Sequence, residues 1–196
     1  MIDEKFVLLA LLLNTYGDLK YLVATIKGQI KPNKVTWLFW AIAPMVAFSA
    51  EISKGVGWAS IMTLSVGLNP LLVFFATFIN KKAEWKITLF DMICGLLSLF
   101  GIVLWVMTSD ANLAIFFAIL ADFFAGVPTL IKSYYHPETE NASPFIFACL
   151  AAIITLATIK TWDFAYYGFP VAIFVFCSIF VLLIKFKMGN FVRRVL

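Results

Sequence analysis

Three aspartates stand inside long apolar stretches of this chain: Asp18, Asp91 and Asp122. A carboxylate in the hydrocarbon region of a membrane costs roughly 2.5–3.5 kcal/mol on insertion scales, and such residues commonly mark a solute or proton pathway. On a helix, Asn14, Asp18 and Tyr21 are spaced i, i+4 and i+7, which places them on one face. This face is our first candidate for substrate binding or proton coupling.

A second polar stripe surrounds Asp122. Thr129 follows it by seven residues, with Ala125 and Gly126 on the same face, and small residues let a partner helix approach closely. We expect both stripes to line one central cavity that serves as a solute or proton site. The alternative is that Asp18 and Asp122 only hydrogen-bond to neighbouring helices and never change charge.

Several other residues are candidates for a pocket or a hinge. Asn69 lies in an apolar run directly before a proline, which frees a backbone carbonyl for other contacts. Trp40 and Tyr167 are possible pocket residues, whereas the other tryptophans fit anchoring at the membrane interface. Pro44 and Pro128 fall inside apolar runs and are hinge candidates.

Charged residues in two loops suggest a gate. Glu138 and Glu140 could pair with Lys31 or Lys34 of the equivalent earlier loop, although a solvated surface turn is the ordinary alternative. Asp91 could pair with nearby lysines or take part in transport. Likewise, Lys20 could reach the interface with its ammonium group or form a salt bridge to Asp91 or Asp122.

The elements that position these residues are predicted from composition. The chain is 63% hydrophobic and only 13% charged, with a mean hydropathy of +0.97. Soluble domains are typically about a quarter charged, so we expect an integral membrane protein. The lipid bilayer is its expected partner, and the net charge of +4 calls for no nucleic acid. With one histidine and three isolated cysteines, we expect no metal site and no cofactor.

Seven continuous apolar runs predict seven membrane helices, because a spanning helix needs about 20 residues. The predicted helices are 6–26, 35–52, 57–79, 86–108, 112–132, 143–160 and 165–186. The loops after the first, third and fifth helices and the C-terminal tail hold most of the lysines and arginines. Because basic loops stay inside, we expect the N-terminus outside and the C-terminus in the cytoplasm, at the plasma (inner) membrane of a prokaryote.

An internal repeat is visible at a shift of 104 positions. Asp18 matches Asp122, and Trp58 matches Trp162. The sequence therefore predicts one all-α membrane domain, residues 1–196, in a 3+1+3 arrangement of two parallel triple-helix repeats. We place the first repeat at 1–82, the linker helix at 83–110, and the second repeat with a short basic tail at 111–196.

This arrangement, together with the segment PTLIKSYYHPETENASPF at 128–145 and its earlier copy ATIKGQIKPNKVTW, resembles the PQ-loop superfamily. That superfamily includes SWEET sugar transporters, cystinosin-like amino-acid exporters and the KDEL receptor. The resemblance implies a carrier for a small-molecule solute, in which one triple-helix bundle rocks against the other. Asn69 resembles an asparagine with which SWEET-like carriers bind sugar, but its counterpart in the second copy falls near Phe174, which does not favour a sugar substrate.

We therefore expect a small-solute carrier, with its intramembrane aspartates as candidates for proton coupling, and not an enzyme. A seven-helix receptor or sensor of the same fold, without transport, is the alternative. A retinal protein is excluded because the last apolar run has no lysine in its middle. An aspartyl protease is disfavoured because Asp122 lacks the Gly–x–Gly that such enzymes place before the catalytic aspartate.

Overall fold

A computed structural model describes residues 2–83, 85–107 and 110–195 of the chain, and these residues are helical with short connections. Its α-helices are α1 (Val7–Ile26), α2 (Lys34–Ser53), α3 (Ser60–Ala76), α4 (Leu89–Met107), α5 (Ala111–Tyr135), α6 (Ser143–Thr158), α7 (Phe164–Ile184) and α8 (Met188–Val195). Each of the seven predicted apolar runs is thus helical. Most ends lie within three residues of the prediction, and the predicted end at residue 108 lies outside the described residues.

Among the described residues, five helices are long and apolar enough to cross a membrane, which is the pattern of an integral membrane protein. They are α1, α2, α3, α5 and α7, of which α1 and α3 are extended by adjoining 3-10 turns. Ser143–Thr158 and the stretch Leu89–Leu104 are shorter apolar helices.

Side-chain caps begin several helices. Asp163 accepts a hydrogen bond from the Ala165 N–H at 3.0 Å at the start of α7. Asp110 does the same for α5, and the backbone N–H groups of Leu113 and Asn112 hold the pKa of its carboxyl below the usual value. These polar groups satisfy backbone donors that the first turn of a helix leaves unpaired.

The packing of the helices follows a recurring pattern. Helix α3 packs against both α1 and α2, and α7 packs in the same way against α5 and α6. Between these two groups, α1 packs against α6 and α2 packs against α5. Helix α4 packs against α5 and α2.

Glycines permit a close approach at two of these crossings. A Cβ atom on Gly17 of α1 would lie 2.8 Å from the Cβ atom of Phe147 on α6. A Cβ atom on Gly126 of α5 would lie 3.1 Å from the Trp40 ring on α2. The absence of a side chain therefore lets each helix pair approach to ring or backbone contact.

The loops that follow α1, α3 and α5 meet at one end of the bundle. The Lys31 N–H donates to the Thr139 carbonyl at 3.0 Å, which joins the first loop to the fifth. The Asn80 amide donates to the Ile26 carbonyl at 2.9 Å, which brings the third loop to the same place. Because five lysines lie in these loops, we call this the basic end.

The N-terminal segment, the loop after α2, the end of α6 and the start of α7 lie at the opposite end. The Ile2 N–H donates to the Ala157 carbonyl at 3.1 Å, and the Tyr166 hydroxyl lies 3.4 Å from the Gly55 carbonyl. The polar stripes of α1 and α5 therefore lie between two ends of different charge.

The segment predicted as a short basic tail is in fact helix α8. It docks on the basic end, where Arg193 donates to the Tyr134 carbonyl at 2.7 Å and its guanidinium lies 5.0 Å from the Tyr134 ring centroid. Arg193 also bonds to Asn190 within the helix at 2.6 Å.

Candidate solute-binding cavity

A cavity of about 70 Å³ lies in the middle of the bundle. Its described lining comes from α1, α2, α3, α5, α6 and α7, whereas α4 contributes no described lining residue. A water molecule needs roughly 10–15 Å³, so the cavity has room for several waters or one compact solute. We call it the central cavity.

Three polar side chains line the central cavity: Asn14, Asp18 and Asp122. All three are buried, with 2%, 7% and 5% of their surface exposed. The Asn14 amide donates to the Ser65 hydroxyl of α3 at 3.2 Å. By contrast, the Oδ1 atom of Asp122 is buried without a hydrogen-bond partner among the described residues. An isolated buried carboxyl is costly, so this oxygen is a candidate ligand-binding atom.

Aromatic rings form most of the remaining wall. The rings that line the cavity are those of Trp37, Trp40, Phe123, Phe145, Phe176 and Phe180. Trp40 meets Phe145 and Phe180 edge to face at 5.9 and 5.6 Å, and the two phenylalanines stack at 4.4 Å. Phe123 and Phe176 lie 5.2 Å apart between α5 and α7. These contacts hold the rings in fixed orientations around the carboxyls.

Contacts between α2 and α5 lie along one side of the cavity. The Trp40 indole N–H donates to the backbone carbonyl of Asp122 at 3.1 Å, over the space left by Gly126. One to two turns further along, the Thr129 hydroxyl donates to that of Thr36 at 2.9 Å. These bonds fix the backbone that carries Asp122 relative to the aromatic wall.

Asn69 reaches Asp18 from the other side of α1. It donates to the Thr15 hydroxyl at 3.3 Å, and its amide also approaches the Asp18 carboxyl. Together these residues border a second space of only about 10 Å³, roughly the size of one water. Asn69 therefore does not line the central cavity itself, but it contacts a residue that does.

Between the central cavity and the basic end lies a buried cluster built on Glu140. Its Oε1 lies 2.6 Å from the Lys132 ammonium, and its Oε2 accepts from the Tyr21 hydroxyl at 2.5 Å. Lys132 also donates to the backbone carbonyl of Lys31 and lies 4.6 Å from the Trp85 ring centroid. Both charged side chains are almost completely buried. We call Tyr21, Lys132 and Glu140 the basic-end cluster.

Comparison with known proteins does not assign this arrangement. No family model, no curated protein and no solved structure matches the chain. The functional argument therefore rests on the chemistry of the central cavity and the basic-end cluster.

The predicted pairing of the gate residues differs from the structure. Glu140 pairs with Lys132 rather than with Lys31 or Lys34, because Lys132 stays on the buried face of α5, which runs on to Tyr135. Lys31 contributes only its backbone carbonyl, and the Lys34 ammonium lies 4.7 Å from the Phe78 ring centroid. Glu138 is exposed and lies 3.4 Å from His136.

Tyr167 lies elsewhere than expected, whereas Lys20 takes the outward position that was one of its two expected alternatives. Tyr167 does not line the central cavity, and its ring packs against Trp162 and Phe164 near the start of α7. Lys20 makes no described salt bridge to either aspartate, because it points outward and its ammonium lies 4.7 Å from the Tyr16 ring centroid.

Asp91 has a structural position at the start of α4. It accepts from the backbone N–H of Thr88 at 2.6 Å, while the Thr88 hydroxyl accepts from the Asp91 N–H at 3.2 Å. This reciprocal pair is a capping box. The second Asp91 oxygen accepts from the Asn33 amide at 3.0 Å, so the expected lysine partners are replaced by a link between α4 and the cap of α2.

Two buried charges were missed from the sequence. Lys132 ends the predicted fifth helix and continues the face of Asp122 and Thr129 at helical spacing, but the sequence analysis did not include it among the candidate site residues. Glu51 is 1% exposed near the other end of α2, where it accepts from the Thr63 hydroxyl at 2.9 Å. Extending the polar stripe of α5 by one turn predicts the buried position of Lys132. Glu51 lies at the end of an apolar run, where the sequence also allows an exposed position.

Proposed function

We propose that the chain is a small-solute membrane carrier of the PQ-loop or SWEET-like type. In this proposal α1–α3 and α5–α7 are two parallel triple-helix units, and α4 links them. The packing pattern supports it, since every contact within the first unit has its counterpart in the second, and α1 with α6 mirrors α5 with α2.

The observation that carries the proposal is the central cavity. It takes its carboxyl groups from the first helix of each unit, Asp18 from α1 and Asp122 from α5, and no described residue of the linking helix lines it. A site shared by two such units changes its access when one unit rocks against the other, as carriers built from repeats require.

The basic end would face the cytoplasm, because basic loops are retained there. The basic-end cluster would then close the cavity on the cytoplasmic side, with Glu140 and Lys132 of the second unit bound to Tyr21 of the first. Pro44 of α2 and Pro128 of α5 lie inside helices near the α2–α5 contact. They would serve as hinges, since proline removes a backbone hydrogen bond.

Proton coupling would run through Asp18 and Asp122. Neither carboxyl forms a salt bridge among the described residues, so a proton or a cationic group would have to neutralise it. Because solute and proton would bind at one site, the movement of one would be coupled to the movement of the other.

Two measurements test the proposal. A thermal-shift screen of the purified protein against sugars, amino acids, nucleosides and vitamins identifies a ligand class, because a ligand stabilises the folded state that binds it. Proteoliposomes then measure flux of that ligand, and we expect Asp122→Asn to abolish its pH-driven accumulation. Undiminished uptake by this variant would exclude proton coupling through Asp122, and specific binding without any flux would favour a receptor of the same fold.

A further inference from the structure

We propose that the central cavity binds a compact organic cation with N–H donors, of the guanidinium or small primary ammonium class. The inference rests on the proposed carrier function for its transport step, but the binding step stands by itself. The first argument is charge. Two carboxyls, Asp18 and Asp122, line one cavity, and no Lys, Arg or His is among its described lining residues.

The second argument is the unpaired oxygen. Asp122 is 5% exposed, and its Oδ1 is buried without a partner, whereas Glu140 has partners on both oxygens. A carboxyl in this position can accept hydrogen bonds from the donor groups of a molecule that binds in the cavity. Bonds from a cationic N–H donor to a carboxylate are about twice as strong as neutral ones.

The third argument is the aromatic wall. The faces and edges of Trp40, Phe145 and Phe180 are fixed by mutual contacts of 4.4–5.9 Å. A cation over an aromatic face gains about 0.5–2 kcal/mol, more when it is desolvated. An anion would be repelled by the two carboxyls and would not gain this attraction from the ring faces.

The size of the cavity limits which organic cations can bind in it. Its volume of about 70 Å³ is roughly half that of an engineered cavity of about 150 Å³ that binds benzene. A small planar cation therefore fits better than a bulky amine. Guanidinium can donate two parallel hydrogen bonds to a carboxylate and can stack on an aromatic ring. It can therefore interact with both the carboxyls and the aromatic rings that line the cavity.

Cation and proton compete for the same carboxyls in this site. The titratable groups that line the cavity are Asp18 of α1, Asp122 of α5 and the Cys177 thiol of α7, and the described lining from α2, α3 and α6 is not titratable. Loss of affinity at acid pH is therefore expected from the two aspartates, since protonation removes the charge that the cation needs.

The binding test uses equilibrium dialysis of the purified full-length protein with radiolabelled guanidinium, at millimolar concentration, with urea as the neutral molecule of the same shape. We expect saturable guanidinium binding that excess urea or sodium does not displace. Asp122→Asn should weaken it at least about tenfold, with Asp18→Asn as the second variant if the first does not fold. Asp3→Asn is the matched control, because Asp3 is exposed and asparagine also caps a helix.

Three results would overturn the inference: equal binding of urea, displacement by equimolar sodium, or wild-type affinity in both cavity variants. The proteoliposome arm separates the two proposals. Specific guanidinium binding without flux would leave the cation site standing and remove the carrier. Flux of a neutral solute with no guanidinium binding would leave the carrier standing and remove the cation site.

Discussion

The central cavity and the basic-end cluster each contain a buried acidic side chain, but the two sites differ in whether its oxygens have hydrogen-bond partners. In the basic-end cluster, Glu140 is bound on one oxygen by the Lys132 ammonium and on the other by the Tyr21 hydroxyl. In the central cavity, Asp122 keeps Oδ1 without a partner among the described residues. A satisfied carboxyl stabilises one arrangement of the helices, whereas an unsatisfied one is suited to a ligand. The four predictions below test this difference.

The largest effect is expected at Glu140. Glu140→Gln removes the counterion of Lys132, which is 3% exposed, and leaves a buried ammonium without a negative partner. We expect the free energy of unfolding to fall by about 3–5 kcal/mol, measured by detergent-induced unfolding in mixed micelles. Glu138→Gln is the control, since Glu138 is exposed and should change the value by less than about 1 kcal/mol. Equal effects of the two variants would show that the basic-end cluster is not a stabilising unit.

The next effect concerns the contact that supports the aromatic wall. Gly126→Val places methyl groups where even a Cβ atom would lie 3.1 Å from the Trp40 ring. We expect a loss of about 1–3 kcal/mol from overpacking, together with a shift in tryptophan fluorescence as Trp40 moves. Gly126→Ala provides a graded control with a smaller change in both readouts. A valine variant with wild-type stability and fluorescence would contradict the close packing of α2 on α5.

A smaller effect on stability is expected at Asn33 at the basic end, and two variants can separate its two contributions. Its Oδ1 caps α2 through the N–H groups of Val35 and Thr36, and its amide donates to Asp91. Asn33→Ser keeps a cap but loses the bond to Asp91, so we expect a cost of about 1 kcal/mol in the same unfolding measurement. Asn33→Ala loses both and should cost about 1 kcal/mol more. Identical values for the two variants would mean that the cap contributes nothing measurable.

The smallest change in stability is expected for Asp122→Asn. The side chain keeps its shape, and no described hydrogen bond to Oδ1 is broken, so the free energy of unfolding should change by less than about 1 kcal/mol. Ligand binding and flux should nevertheless be lost. A destabilisation as large as that of Glu140→Gln would instead identify Asp122 as a structural residue that holds helices together.

The helices and the polar stripes could be predicted because both follow from periodicity. Continuous apolar runs of membrane length have few alternatives to a helix, and the predicted face of Asn14, Asp18 and Tyr21 is buried. Asp122 and Trp40 line one cavity because α2 crosses α5 at Gly126.

Side-chain pairing could not be predicted in the same way. The partner of Glu140 depends on how the loop after α5 folds back, because this loop brings Glu140 to within 2.6 Å of the ammonium of Lys132, eight residues earlier. Asp91 bonds to Asn33, 58 residues away in sequence, across an interface that no local pattern reveals. Tyr167 packs against Trp162 and Phe164 rather than lining the cavity, a contact that the apolar pattern of α7 does not predict.

The bond between Asn33 and Asp91 has a consequence for how the linking helix moves. One amide group serves α2 with its oxygen and α4 with its nitrogen, so the first turns of the two helices share a residue. If α2 tilts, α4 must tilt with it or lose this bond. Helix α4 also packs against α5, and more extensively than against α2, so it ties α2 to α5 and limits how far the two can move apart.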